Sequence, residues 1–116
     1  MEPSPAALAR LREITMAFAA RHGDPHPTHL RMVETTSTAL DAVWGVRHPN
    51  NPPPIPIYVV IANGQFISGG PPRPHGHAAP RGTRLFMQLR RSDFDLIDWG
   101  LDLDRELHTL GTFTEL

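Results

Sequence analysis

Hydrophobic positions along this chain follow two different periods. Leu8, Leu11, Thr15 and Phe18 fall on one stripe, broadened by Ala7 and Ile14, while Arg10, Glu13 and Arg21 lie largely off it. That spacing predicts an amphipathic helix. Ser4 is placed to cap its start, Pro5 suits the first helical position and Gly23 suits the stop. After a rigid connector, Asp24-Pro25-His26-Pro27, the period drops to two. Thr28 to Thr35 alternates as a strand, with Leu30 and Met32 toward the core and His29, Arg31 and Val33 turned the other way. Hydroxyls at Thr36-Ser37-Thr38, apolar Leu40, Val43 and Trp44, and Gly45 at the end then predict a short second helix.

The longest apolar run is Ile55 to Ser68, rich in β-branched residues and bounded by Pro- and Gly-rich segments. It reads as the central strand. Ile57, Val59 and Ile61 share one face; Tyr58, Val60 and Ala62 share the other. Both faces are apolar, which is the pattern of a strand covered on both sides or set against an interface. Asn63-Gly64 inside the run has two readings: a two-residue hairpin turn, or a glycine bulge within one long strand. Upstream, Arg47 to Pro54 reads as a stiff Pro-rich linker. Downstream, residues 69–81 form a Gly/Pro/His loop without periodicity. Gly82–Arg91 and Asp95–Leu101 alternate as two antiparallel strands joined by a turn at Ser92-Asp93-Phe94, and a polar tail follows from Asp102.

These elements predict a single α+β domain over residues 1–116. The N-terminal helix packs on a curved antiparallel sheet of about four strands, with the short second helix beside it. A chain of 116 residues is long enough for one modest core. Its net charge of −1 and pI near 6.6 disfavour nucleic acid as a partner. Arg81, Arg84, Arg90 and Arg91 beside Phe86 read as the exposed face of a strand. There is no cysteine and no lysine. Their absence excludes disulfides, thiolate metal sites, cysteine nucleophiles, Schiff-base chemistry and a P-loop. No secretion signal or membrane-spanning run is visible, so a cytoplasmic protein without membrane contact is expected.

The chain resembles small actinobacterial cystatin-like or PepSY-like α+β domains. The residues that carry the likeness are Pro56-Ile57-Tyr58-Val59-Val60 ahead of Gly64-Gln65-Phe66, then Ala79-Pro80-Arg81-Gly82-Thr83 leading into Leu85-Phe86-Met87, and Asp95-Leu96-Ile97-Asp98-Trp99-Gly100. The likeness covers most of the chain after Pro27. It implies a helix held against a curved antiparallel sheet, and a protein that binds, inhibits or regulates other proteins. It supplies no catalytic motif.

Candidate chemistry is sparse. His75 and His77 flank one residue and, on extended backbone, would point the same way and could share a divalent metal, with a third ligand from His22, His26, His29 or an aspartate. Asp93, Asp95, Asp98, Asp102 and Asp104 make an acidic patch that reads as a solvated, turn-forming face rather than a calcium site. His29 and Asp98 are the acid–base types nearest to sheet positions, should a cavity between helix and sheet hold a small ligand or an enzyme site. The leading expectation is a non-catalytic binding, regulatory or accessory module that meets a protein partner or a second copy of itself as a homodimer. No cofactor is expected beyond the histidine-bound metal. The contact surface expected is Tyr58, Phe66, Phe86 and Trp99, since these aromatics and the two apolar faces of the central strand exceed what one helix could cover.

Overall fold

A computed structural model describes residues 4–45, 53–67, 81–101 and 107–116, apart from the side chain of His108. The chain runs α1 (Pro5–Arg21), β1 (Thr28–Thr36), α2 (Ser37–Trp44), β2 (Pro56–Ile67), β3 (Arg81–Arg90), β4 (Leu96–Leu101), a 3-10 turn (Leu107–Leu110) and β5 (Thr114–Glu115). The strands form one open antiparallel sheet in the order β4-β3-β2-β1-β5. The α+β fold is the expected one, with five strands in place of about four. The added strand, β5, is two residues long and pairs with Arg31 and Met32 on the outer edge of β1.

Local chemistry sets the boundaries of both helices. The Ser4 hydroxyl accepts from the Ala7 amide at 3.1 Å, and Pro5 opens α1. Thr36 caps α2 by accepting from the Ala39 amide at 3.3 Å. Gly45 ends α2 at φ 72°, a left-handed conformation that costs glycine nothing. The β3–β4 connection is the expected turn. Asp93 accepts from the Asp95 amide at 3.0 Å and from Arg90 Nη1 at 3.1 Å.

The two helices lie on opposite faces of the sheet. Leu11, Thr15 and Ala19 of α1 are fully buried. On this face the core also holds Leu30, Met32, Tyr58, Val60, Ala62, Phe66, Leu85, Met87 and Leu89. The Thr15 hydroxyl is satisfied by the Leu11 carbonyl at 2.7 Å. On the other face Leu40 of α2 packs with Val33, Ile57, Val59, Ile61, Phe86 and Leu107. Both apolar faces of β2 are therefore covered from within the chain.

Asn63-Gly64 is a bulge, not a hairpin. β2 continues to Ile67, and its register against β3 shifts between Asn63 and Phe66. Asn63 faces Arg84 and Phe66 faces Gly82, so two residues of β2 oppose one of β3. Phe66 lies in the α1 side of the core with Tyr58, Val60 and Ala62, where it is 1% exposed. A side chain outside the strand fixes this bulge. Asp24 accepts from the Gln65 amide at 2.9 Å through Oδ2 and from the His26 amide at 2.8 Å through Oδ1. A Cβ on Gly64 would lie 2.5 Å from Asp24 Oδ2 and 2.8 Å from Phe66 Cζ, so a larger residue there would have to displace one of these side chains.

A second register shift, between Gln88 and Leu89 of β3, sits opposite Ile97 of β4. It breaks the simple alternation expected for β4. Leu96, Trp99 and Leu101 all join the α1 side.

Candidate functional site

The expected aromatic contact surface is not presented to solvent. Tyr58, Phe66 and Phe86 are 6%, 1% and 4% exposed. Tyr58 stacks on Phe94 with ring centroids 5.6 Å apart, beneath the Arg91 guanidinium. Phe86 meets Trp44 of α2 edge-on at 5.4 Å. Trp99 is half-buried between His22 and Phe18, at 4.4 and 5.2 Å. The expectation reckoned with one covering helix. Helix α2 and the Leu107–Leu110 turn cover the second face and bury Phe86, while Tyr58 and Phe66 are buried on the α1 face, so three of these four residues are core.

The acid–base candidates are separated. His29 lies on β1, where its Nε2 contacts Glu115 at 3.0 Å. Asp98 lies on β4 and accepts from the Trp99 amide at 2.8 Å. Two strands stand between them, a separation of roughly 14 Å at the usual strand spacing, so they cannot act as a pair. Of the proposed third metal ligands, His22 is packed on Trp99 and its Nδ1 lies 3.3 Å from the Ile67 carbonyl oxygen. His75 and His77 lie outside the described residues, as do Asp102 and Asp104. Among the described residues no three metal-ligating side chains cluster, and no helix is long and apolar enough to cross a membrane.

What the strands do build is a polar cleft. The α2 face of the sheet is aliphatic where α2 lies on it, at Val33, Val59 and Ile61. Toward the bulged end each strand turns polar on that same face: Val33 gives way to Arg31, Ile61 to Asn63, and Phe86 to Arg84. Arg31, Asn63 and Arg84, with Thr28, Gly64, Gln65 and Thr83, line an open cleft of about 650 Å³. Arg31 Nη1 donates to the His29 carbonyl at 2.7 Å and approaches Asn63 Oδ1 at 3.4 Å. His29 sits at φ 50°, a left-handed conformation uncommon outside glycine, in the segment where β1 shifts register against β2.

Partial burial lowers the Arg31 pKa from its ordinary value; nearby Glu115 opposes the shift, and the Arg84 guanidinium adds to it. Arginine stays charged at neutral pH under such shifts, so two cations share one concavity. The Asp24 carboxyl is held below its ordinary pKa by the amides of Gln65 and then His26. Its charge helps fix the bulge that forms the cleft wall.

The sequence places Arg31 and Arg84 on outward faces without bringing them together. The signal was a switch from apolar to polar two residues apart on each of three strands. It becomes a site only once the interstrand register is known.

A second, smaller groove of about 360 Å³ lies on the same face beside β4, lined by Ser37, Asp41, Pro53, Ile55, Gln88, Ile97 and Asp98. Ile55 and Ile97 are each 43% exposed. Comparison with protein-family models, curated proteins and solved structures returns no match for this chain.

Proposed function

We propose that this protein is a non-catalytic binding module and that the cleft between Arg31, Asn63 and Arg84 is its recognition site. One observation carries this reading: the second face of the sheet turns polar where its helix cover ends, and the strand ends there form a concavity. Among the described residues the lining supplies amides, hydroxyls and guanidinium groups. None of these exchanges a proton near neutral pH, as general acid–base catalysis requires, so the cleft is suited to holding a ligand rather than transforming it. The resemblance to cystatin-like and PepSY-like domains points in the same direction. Titrating the isotope-labelled protein with a chemically mixed fragment set tests the proposal. Ligands should move the amide signals of Asn63, Gly64, Gln65 and Thr83, and Gln65→Trp, which fills the cleft, should abolish the response. Fragments that gather elsewhere and ignore Gln65→Trp would refute it.

Self-association is the second reading. It is supported by Ile55 and Ile97, two exposed large apolar residues that meet in one groove. Light scattering at micromolar concentration should then report a dimer that Ile97→Glu dissociates. A monomer in the unmodified protein removes this reading and leaves the first intact.

A further inference from the structure

We propose that the cleft takes an oxyanion, the carboxylate or phosphate group of a small ligand, held between the guanidinium groups of Arg31 and Arg84. This rests on the cleft being the recognition site and adds the chemical class of what it recognises. Three features support it.

The first is geometry. Both polar contacts of Arg31 fall on Nη1, one to the His29 carbonyl and one to Asn63 Oδ1. They fix the plane of the guanidinium. Among the described residues they leave its Nη2 and Nε edge for a ligand, and that edge matches two oxygens of one oxyanion.

The second is charge. The Arg84 guanidinium lies near enough to disfavour the Arg31 cation, and Arg31 is partly withdrawn from water. An anion at a guanidinium partly withdrawn from water is attracted more strongly than it would be on an open surface. Among the described residues Glu115 is the carboxylate that acts on Arg31, and it sits 3.0 Å from His29 Nε2 on the outer edge of β1.

The third is the surrounding donors. The Asn63 and Gln65 amides and the Thr28 and Thr83 hydroxyls line the same cleft. They can donate to oxyanion oxygens that the arginines do not reach.

The test uses the full chain, labelled with nitrogen-15 and held at fixed ionic strength. It is titrated separately with inorganic phosphate, malonate and malonamide, the last being close to malonate in shape but uncharged. Saturable shifts at Asn63, Gly64, Gln65 and Thr83 are expected with at least one anion and not with malonamide. A response to phosphate alone or malonate alone supports the proposal and names the group. Arg31→Gln and Arg84→Gln should each weaken binding about tenfold or more, the loss expected for a charge-assisted hydrogen bond. Arg31→Lys, which keeps the charge without the planar fork, should recover only part of it.

If malonamide binds the same amides as tightly as malonate, the oxyanion inference fails and the recognition site stands. Anion binding that moves other amides, or that ignores both glutamine variants, also overturns the inference. If neither these probes nor the fragment set touches the cleft, both the inference and the site fail. Should Arg31→Gln unfold, Arg84→Gln and the shift map of the unmodified protein decide the matter.

Discussion

The two faces of β2 are both apolar, yet they are covered in different ways. On one side α1, with 17 residues, extends about 25 Å and buries three side chains. On the other side α2, with eight residues, extends about 12 Å and buries one, Leu40. A 12-residue strand such as β2 runs about 40 Å, so the short helix leaves part of its face without helical cover. The 3-10 turn supplies Leu107, and Val43, Trp44, Leu110 and Phe113 pack around the same cluster. Beyond them the face becomes polar and opens into the cleft. The long helix makes a closed core, while the short one makes a core with a polar cleft at its end. The contrast extends to reporters: Trp99 packs on the α1 side and Trp44 on the α2 side.

The most disruptive way to probe that contrast is to remove the one buried anchor of the short helix. Leu40→Ala deletes a side chain that is 1% exposed. Such truncations cost about 2–5 kcal/mol, which is measurable as a fall in the urea midpoint. The change should be lopsided. In single-tryptophan backgrounds, Trp44 emission should shift to the red under native conditions while Trp99 stays unchanged. Equal shifts at both tryptophans would mean that the two faces form one mechanical unit.

A smaller effect is expected from the bulge, where the two faces meet. Gly64→Ala places a Cβ against Asp24 Oδ2 and Phe66 Cζ. The carboxylate cannot move away without losing the Gln65 and His26 amides. Overpacking of this kind costs about 1–3 kcal/mol. It should also move the Asn63 and Gln65 amide signals that report the cleft. A variant as stable as the parent, with those signals in place, would show that the bulge has room the structure does not show.

Much of this architecture is legible in the sequence. The Leu8–Phe18 stripe, the Ser4 and Gly45 boundaries and the alternation of Leu85, Met87 and Leu89 each depend on a local period that a single chain displays. What is not legible depends on contacts between distant segments. Asn63-Gly64 carries the residues of a hairpin turn, but it becomes a bulge because Asp24, some forty positions earlier, captures the next amide. β5 has two residues, too few for any period to show. The cover that α2 and the Leu107–Leu110 turn give the second face depends on how their connections place them, and counting only one covering helix turned Phe86, a core aromatic of that face, into an expected surface. Arg31 and Arg84 each look like an ordinary solvated strand residue. Only the β1–β2–β3 register brings them around Asn63.

The gentlest probe of the same contrast is acid. Asp24 has its folded-state pKa lowered below the ordinary 3.8, first by the Gln65 amide and then by that of His26. The sign follows from linkage. Above pH 3.8 the carboxylate is ionised in the folded and unfolded chains alike, and its stabilisation is fully present. The stabilisation is lost as pH falls through the lower folded-state value, where the bound carboxylate takes up its proton. Because the group is exposed, the effect on global stability should be small and local to the bulge. The Gln65 amide signal should therefore titrate with a midpoint below 3.8, Asp24→Asn should abolish that titration, and Trp44 on the opposite side of the core should not follow it. A Gln65 midpoint at or above 3.8 would mean that Asp24 does not hold the bulge, and the cleft wall would need another support.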